Sequence, residues 1–102
     1  MKHLEIFFSL TAKKQFEDIC HYILTEWSFK EKEEFKKRLQ KKLSQISQHP
    51  KSCPKSSFMK GLRKAVVDKR TSIFYRFSIE YIEVIIIIDN SQSESTVKKS
   101  IG

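Results

Sequence analysis

Residues 81–92 read YIEVIIIIDNSQ, and from Val84 to Ile88 five aliphatic side chains follow one another without a break. A strand with one wet face alternates apolar and polar residues, so this run predicts an inner strand covered on both sides. In a chain of 102 residues the protein's own helices can cover one face. The other face calls for a partner or for the residues after Asn90.

Working outward, Met59 to Val67 and Thr71 to Ile79 predict two further strands. The DKRT turn joins them, and a tight turn at Glu80 and Tyr81 leads into Ile82 to Asp89. The three form an antiparallel meander. In its middle strand Ile73, Tyr75, Phe77 and Ile79 share one face and Ser72, Phe74, Arg76 and Ser78 the other, so the former is the face built for helices. Before the meander, QHPKSCPKSS reads as a loop.

Two helices precede that loop. Ala12, Phe16, Ile19, Cys20, Ile23 and Trp27 recur at intervals of three and four, and Phe35, Leu39, Leu43 and Ile46 make a second stripe. Ser28 with Glu31 is a capping-box pattern that ends one helix and starts the next. HLEIFF, residues 3–8, reads as a first short strand. The fold class is therefore α+β: a strand, a helical hairpin and a three-stranded antiparallel meander, one sheet packed against two helices. Residues 1–90 are expected to form one domain, and residues 91–102 a tail that is weakly ordered or partner-bound.

Composition narrows the function. No apolar run approaches the roughly 18 residues of a membrane span, and Glu5 interrupts the N-terminal apolar patch, so neither a membrane anchor nor a secretory signal is expected. Cys20 and Cys53 have neither CxxC spacing nor a matching histidine cluster, so no metal site is expected. The formal net charge is +8, and residues 51–76 carry 8 Lys and Arg against a single acid. That block predicts attraction to nucleic acid or to an acidic protein segment. Arg63, Lys64, Lys69, Arg70 and Arg76 are the candidate binding residues, because guanidinium forks pair with phosphate and carboxylate alike. His3, His21 and His49 fall on separate elements and read as surface residues, and Tyr75 and Trp27 read as packing.

The order of elements, with KGLRKAVVDKRTSIFYRF leading into IEVIIIIDNSQ, resembles the RelE/ParE superfamily of bacterial toxins from type II toxin–antitoxin systems. Gly61, Leu62, Arg63, Val66, Val67, Lys69, Thr71, Tyr75, Asp89 and Gln92 carry the resemblance. It implies a cytoplasmic, growth-inhibiting toxin of a plasmid-stabilisation type, neutralised by a cognate antitoxin whose C-terminal segment wraps the toxin, and working without a cofactor. Two activities are known in the superfamily. RelE-like members enter the ribosome and cut mRNA with Arg, Lys and Tyr side chains, which here would be Arg63, Lys69, Arg76 and Tyr75. ParE-like members poison DNA gyrase and need no nuclease site. Val67 stands where a RelE-like nuclease would place a basic residue, and no tyrosine follows Tyr81, so the chain looks closer to the ParE-like branch. It departs from that branch after Asp89, where Ser91 replaces an expected arginine and an Asn-Pro pair is missing. That departure leaves open a toxin remnant that only binds its antitoxin.

Overall fold

The computed structural model describes residues 3–89. Its elements in chain order are β1 (Glu5–Phe8), α1 (Leu10–Glu26), α2 (Phe29–Gln48), β2 (Arg63–Val66), β3 (Thr71–Phe77) and β4 (Tyr81–Asp89). Half of the predicted capping box forms: the Ser28 hydroxyl accepts from the Glu31 amide at 3.0 Å and satisfies one of the free N–H groups of α2, while the Ser28 amide donates to the Ile23 carbonyl at 3.1 Å and not to the Glu31 carboxylate. Ser9 does the same for α1, accepting from the Ala12 amide at 2.9 Å.

The sheet runs in the order β1-β4-β3-β2, so the isoleucine strand is an inner one, as its composition predicts. The meander β2-β3-β4 is antiparallel, and β1 adds a fourth strand parallel to β4. Parallel neighbours need a long connection, and here it runs through the helical hairpin, which covers one face of the sheet, and then through β2 and β3. Ala12, Ile19, Phe35, Leu39 and Ile46 from the helices meet Ile73, Tyr75, Ile82, Val84 and Ile87 from the sheet, and together they form the core.

A bulge explains the unbroken aliphatic run. Tyr75 pairs with Val84 but Phe74 pairs with Ile86, so Ile85 has no partner on β3 and the alternation of β4 shifts by one residue there. Ile82 and Val84 face the helices before the bulge, and Ile87 does so after it. The Ile85 carbonyl accepts from the Ser9 hydroxyl at 2.6 Å, and the Ile87 amide donates to Gln15 Oε1 at 2.8 Å. Ser9 and Gln15, at the cap and in the first turns of α1, therefore satisfy the backbone of β4 where β1 has already ended.

On the outer face Ile86 and Ile88 are half-buried and Phe74 is buried, with the Phe58 ring tilted against it at 6.4 Å. The segment before β2 thus covers part of that face. The expectation for residues 91–102 lies outside the described residues.

Three local readings are corrected. The first meander strand spans only Arg63–Val66, because Met59 to Gly61 fold as a turn: Ser56 Oγ accepts from the Phe58 and Met59 amides, and Gly61 takes φ +85°, a conformation costly for other residues. Tyr81 belongs to β4, and the tight turn is closed by the Ser78 amide donating to the Tyr81 carbonyl at 2.8 Å. Ile79 sits in that turn, 88% exposed, instead of on the core face.

Candidate functional site

The fold distributes the basic residues over three places. At the start of β2, Arg63 pairs across the ladder with Tyr75. Arg63 Nη1 donates to the Cys53 carbonyl at 2.6 Å and the Lys51 carbonyl at 3.4 Å, and the guanidinium lies 5.7 Å from the Phe77 ring centre. The Tyr75 hydroxyl donates to the Pro50 carbonyl at 2.7 Å. Both side chains therefore hold the 50–53 segment against the sheet, capping carbonyls that a loop otherwise leaves open. Tyr75 is fully buried, and burial, with the interaction of its hydroxyl as donor toward the Cys53 side chain as the next cause, pushes its hydroxyl well above the ordinary tyrosine range. A phenol held neutral in this way is a donor and is poorly suited to take a proton from a ribose hydroxyl near neutral pH.

At the opposite end of β3, Lys69 and Arg70 occupy the β2–β3 turn. Asp68 organises it: Oδ1 accepts from the Arg70 and Thr71 amides at 2.8 and 2.9 Å, and Oδ2 accepts from Arg38 Nε at 3.2 Å. The Arg70 guanidinium stacks 4.7 Å from the centre of the Trp27 ring, a cation–π contact. Trp27 is 57% exposed, so it lies outside the core that its helical spacing suggests. These groups border a cleft of about 260 Å³ between the helix turn and the hairpin, floored by Ile23 and Phe35.

Lys64 and Arg76 lie on the outer face. Arg76 Nε and Nη2 both donate to Glu83 Oε1 at 2.8 Å, and Lys64 stands opposite Phe74. Of the nuclease candidates, the structure brings Arg63 and Tyr75 together, puts Arg76 on the other face in an ion pair, and leaves Lys69 roughly 17 Å away along the strand. His21 and His49 are exposed, and His3 lies 3.3 Å from Ser47 Oγ. Among the described residues no group of three His, Cys, Asp or Glu side chains is placed to hold a metal ion.

Reading the sequence missed Asp68 and the Trp27–Arg70 stack. For Asp68 a signal existed, since Asp at the head of a turn commonly accepts from amides two and three residues on. Nothing local in the sequence joins Trp27 to Arg70. Separated basic surfaces of this kind suit an extended partner that meets several of them in turn more than a small substrate held at one point.

The comparisons agree with this architecture. A family model described as the ParE toxin of the type II toxin–antitoxin system parDE matches residues 6–93. The chain is similar in structure to one in the chromosomal ParDE system of P. aeruginosa, with a TM-score of 0.72 at 11% identity over 85% of this chain and 96% of that one. It is also similar to one in the E. coli DinJ–YafQ toxin–antitoxin complex, with a TM-score of 0.57 at 12% identity over 91% and 99%. A third similarity is to the YoeB dimer of Staphylococcus aureus, with a TM-score of 0.60 at 15% identity over 85% and 97%. At these identities the structures show a shared fold alone. No curated protein matches the chain. Among the described residues no helix is long and apolar enough to cross a membrane. With the family model matched over most of its length, and the sheet and helical hairpin in place, the chain belongs to the ParE family of toxins from type II toxin–antitoxin systems.

Proposed function

We propose that this toxin acts in the cytoplasm by binding and inhibiting DNA gyrase, without catalysing RNA cleavage, and that a cognate antitoxin neutralises it. The observation that carries the reading is the employment of the nuclease candidates. Cleavage needs donors aimed together at the developing phosphorane, with a base near neutral pKa beside the 2′-hydroxyl. Arg63 and Tyr75 are engaged with the carbonyls of 50–53, Arg76 is engaged with Glu83, and Lys69 stands at the far turn. The ParE family match supports the gyrase target, and the DinJ–YafQ toxin–antitoxin complex among the similar structures supports a protein antidote.

Pulse labelling of DNA and protein synthesis within minutes of inducing the chain alone tests this. Early loss of DNA synthesis with translation intact is the expected result. Early loss of translation overturns it in favour of a ribosome-dependent mRNA nuclease. If neither changes while the protein accumulates in soluble form, the toxin is a remnant and antitoxin binding is its remaining function.

A further inference from the structure

The sheet ends at β2 on one side and at β1 on the other. β2 carries Arg63 and Lys64 and is bridged in part by Lys55. β1 reads EIFF, with no Lys, Arg or Pro, and pairs with β4 in unbroken register, so of the devices that protect an edge it has only its shortness and Glu5. From His3 to Ala12 that glutamate is the single formal charge, in a chain of net +8.

Two hydrogen bonds fix which backbone groups of β1 face out. The Ser9 amide donates to the Val84 carbonyl at 2.9 Å, toward β4, and the Leu4 amide donates the other way, to the Ser47 carbonyl at 3.2 Å. Both groups of one residue point to the same side of a strand and the sides alternate, so Glu5 and Phe7 face β4 while the N–H and C=O of Ile6 and Phe8 face outward. Among the described residues no backbone group pairs with them. Beside them Phe7 is 51% exposed on the outer face, edge-to-face with Tyr81 at 5.9 Å, and Leu10, 86% exposed, follows the strand.

We propose that the chain self-associates through β1, each copy pairing Ile6 with Phe8 of the partner subunit about a two-fold axis at Phe7. In this antiparallel register every outward group of Ile6 and Phe8 finds a partner, and the two Phe7 side chains stand opposite each other in the closely spaced non-bonded position. The two Glu5 carboxylates then lie about 14 Å apart, beyond the ~10 Å over which charges act at moderate salt. The distribution of charge selects this occupant. Nucleic acid and an acidic segment both need cations, which this edge lacks, whereas a second copy of a basic chain approaches most readily where its own cations are absent. The joined sheet runs β2-β3-β4-β1 and then back in reverse order, which sets the two β2 strands roughly 34 Å apart at its far ends.

The test uses the purified full chain. Sedimentation velocity is expected to pass from monomer to dimer as concentration rises from about 10 µM to about 1 mM, the range of a small transient contact. Over that range the Ile6 and Phe8 amides should exchange at least about tenfold more slowly, while the Lys64 amide, bonded to the Pro54 carbonyl within the chain, stays unchanged. Phe7→Lys sets two ammonium groups opposite each other from a half-exposed position, and should weaken the dimer by about tenfold or more with the thermal melt still cooperative. A chain that stays monomeric throughout, a dimer in which Ile6 and Phe8 exchange as in the monomer, or a dimer that folded Phe7→Lys forms equally well each overturns the assignment. Protection of the two amides only on adding a neutralising protein, with the chain alone monomeric, gives the edge to that partner and overturns it too.

Discussion

Basic residues beside the two ends of β2 have opposite fates. At its start, Arg63 reaches inward along the 50–53 segment, donates to two carbonyls and lies against Phe77. Near its end, Lys41 and Lys42 of α2 share a groove with Val66 and Val67, with no carboxylate at ion-pair distance among the described residues. The difference teaches that net charge in a stretch of sequence marks cations without ranking them. A cation becomes a candidate for a partner only when the fold has not already used it.

Substitutions break this contrast if Arg63 is a ligand group or the lysines are framework. The largest expected effect is at the buried partner of Arg63: Tyr75→Ala removes a fully buried ring and should cost about 3–5 kcal/mol, read as a shifted urea midpoint. Arg63→Ala leaves the Cys53 carbonyl without its charged donor and should cost about 1.5–3 kcal/mol. An Arg63→Ala protein of unchanged stability that has lost toxicity would reverse the contrast and make Arg63 a ligand group.

Tyr75→Phe keeps the ring and removes only the bond to Pro50, for about 1 kcal/mol. It also sharpens the comparison through pH. Burial raises the folded pKa of Tyr75, so the folded chain keeps a proton that the unfolded chain loses near pH 10. The stabilisation is complete below that pH and is lost as pH rises above it, and Tyr75→Phe should flatten this alkaline decline in thermal melts. The smallest effect is expected at Arg76. Its side chain is 62% exposed, so Arg76→Ala should change stability by less than about 1 kcal/mol despite the short contacts to Glu83. A larger loss in the same urea assay would place Arg76 with Arg63 as framework.

Much of the architecture was readable before any coordinates. Period three-and-four stripes marked both helices, Ser28 and Glu31 marked the boundary between them, and the aliphatic run marked an inner strand. The parallel pairing of β1 with β4 was not readable, because it joins residues more than seventy positions apart. The bulge at Ile85 was equally hidden. Five aliphatics in a row conceal a shift of register, since each fits either face. The candidate basic residues were correctly seen as numerous, but the partners of Arg63, Arg76 and Arg70, at Cys53, Glu83 and Trp27, lie on other elements.

What the sequence determined by itself is local: where the chain turns, which stripe of each helix is apolar, that the long strand must lie inside the sheet, and that residues 51–76 are basic. Periodicity and capping act over a few residues, so the sequence alone is enough to read them. What only the tertiary structure decided is which cations are used up. That depends on carbonyls, carboxylates and rings brought together from distant positions, and it ties Arg63 to the Cys53 carbonyl while leaving Lys41 and Lys42 without a carboxylate among the described residues.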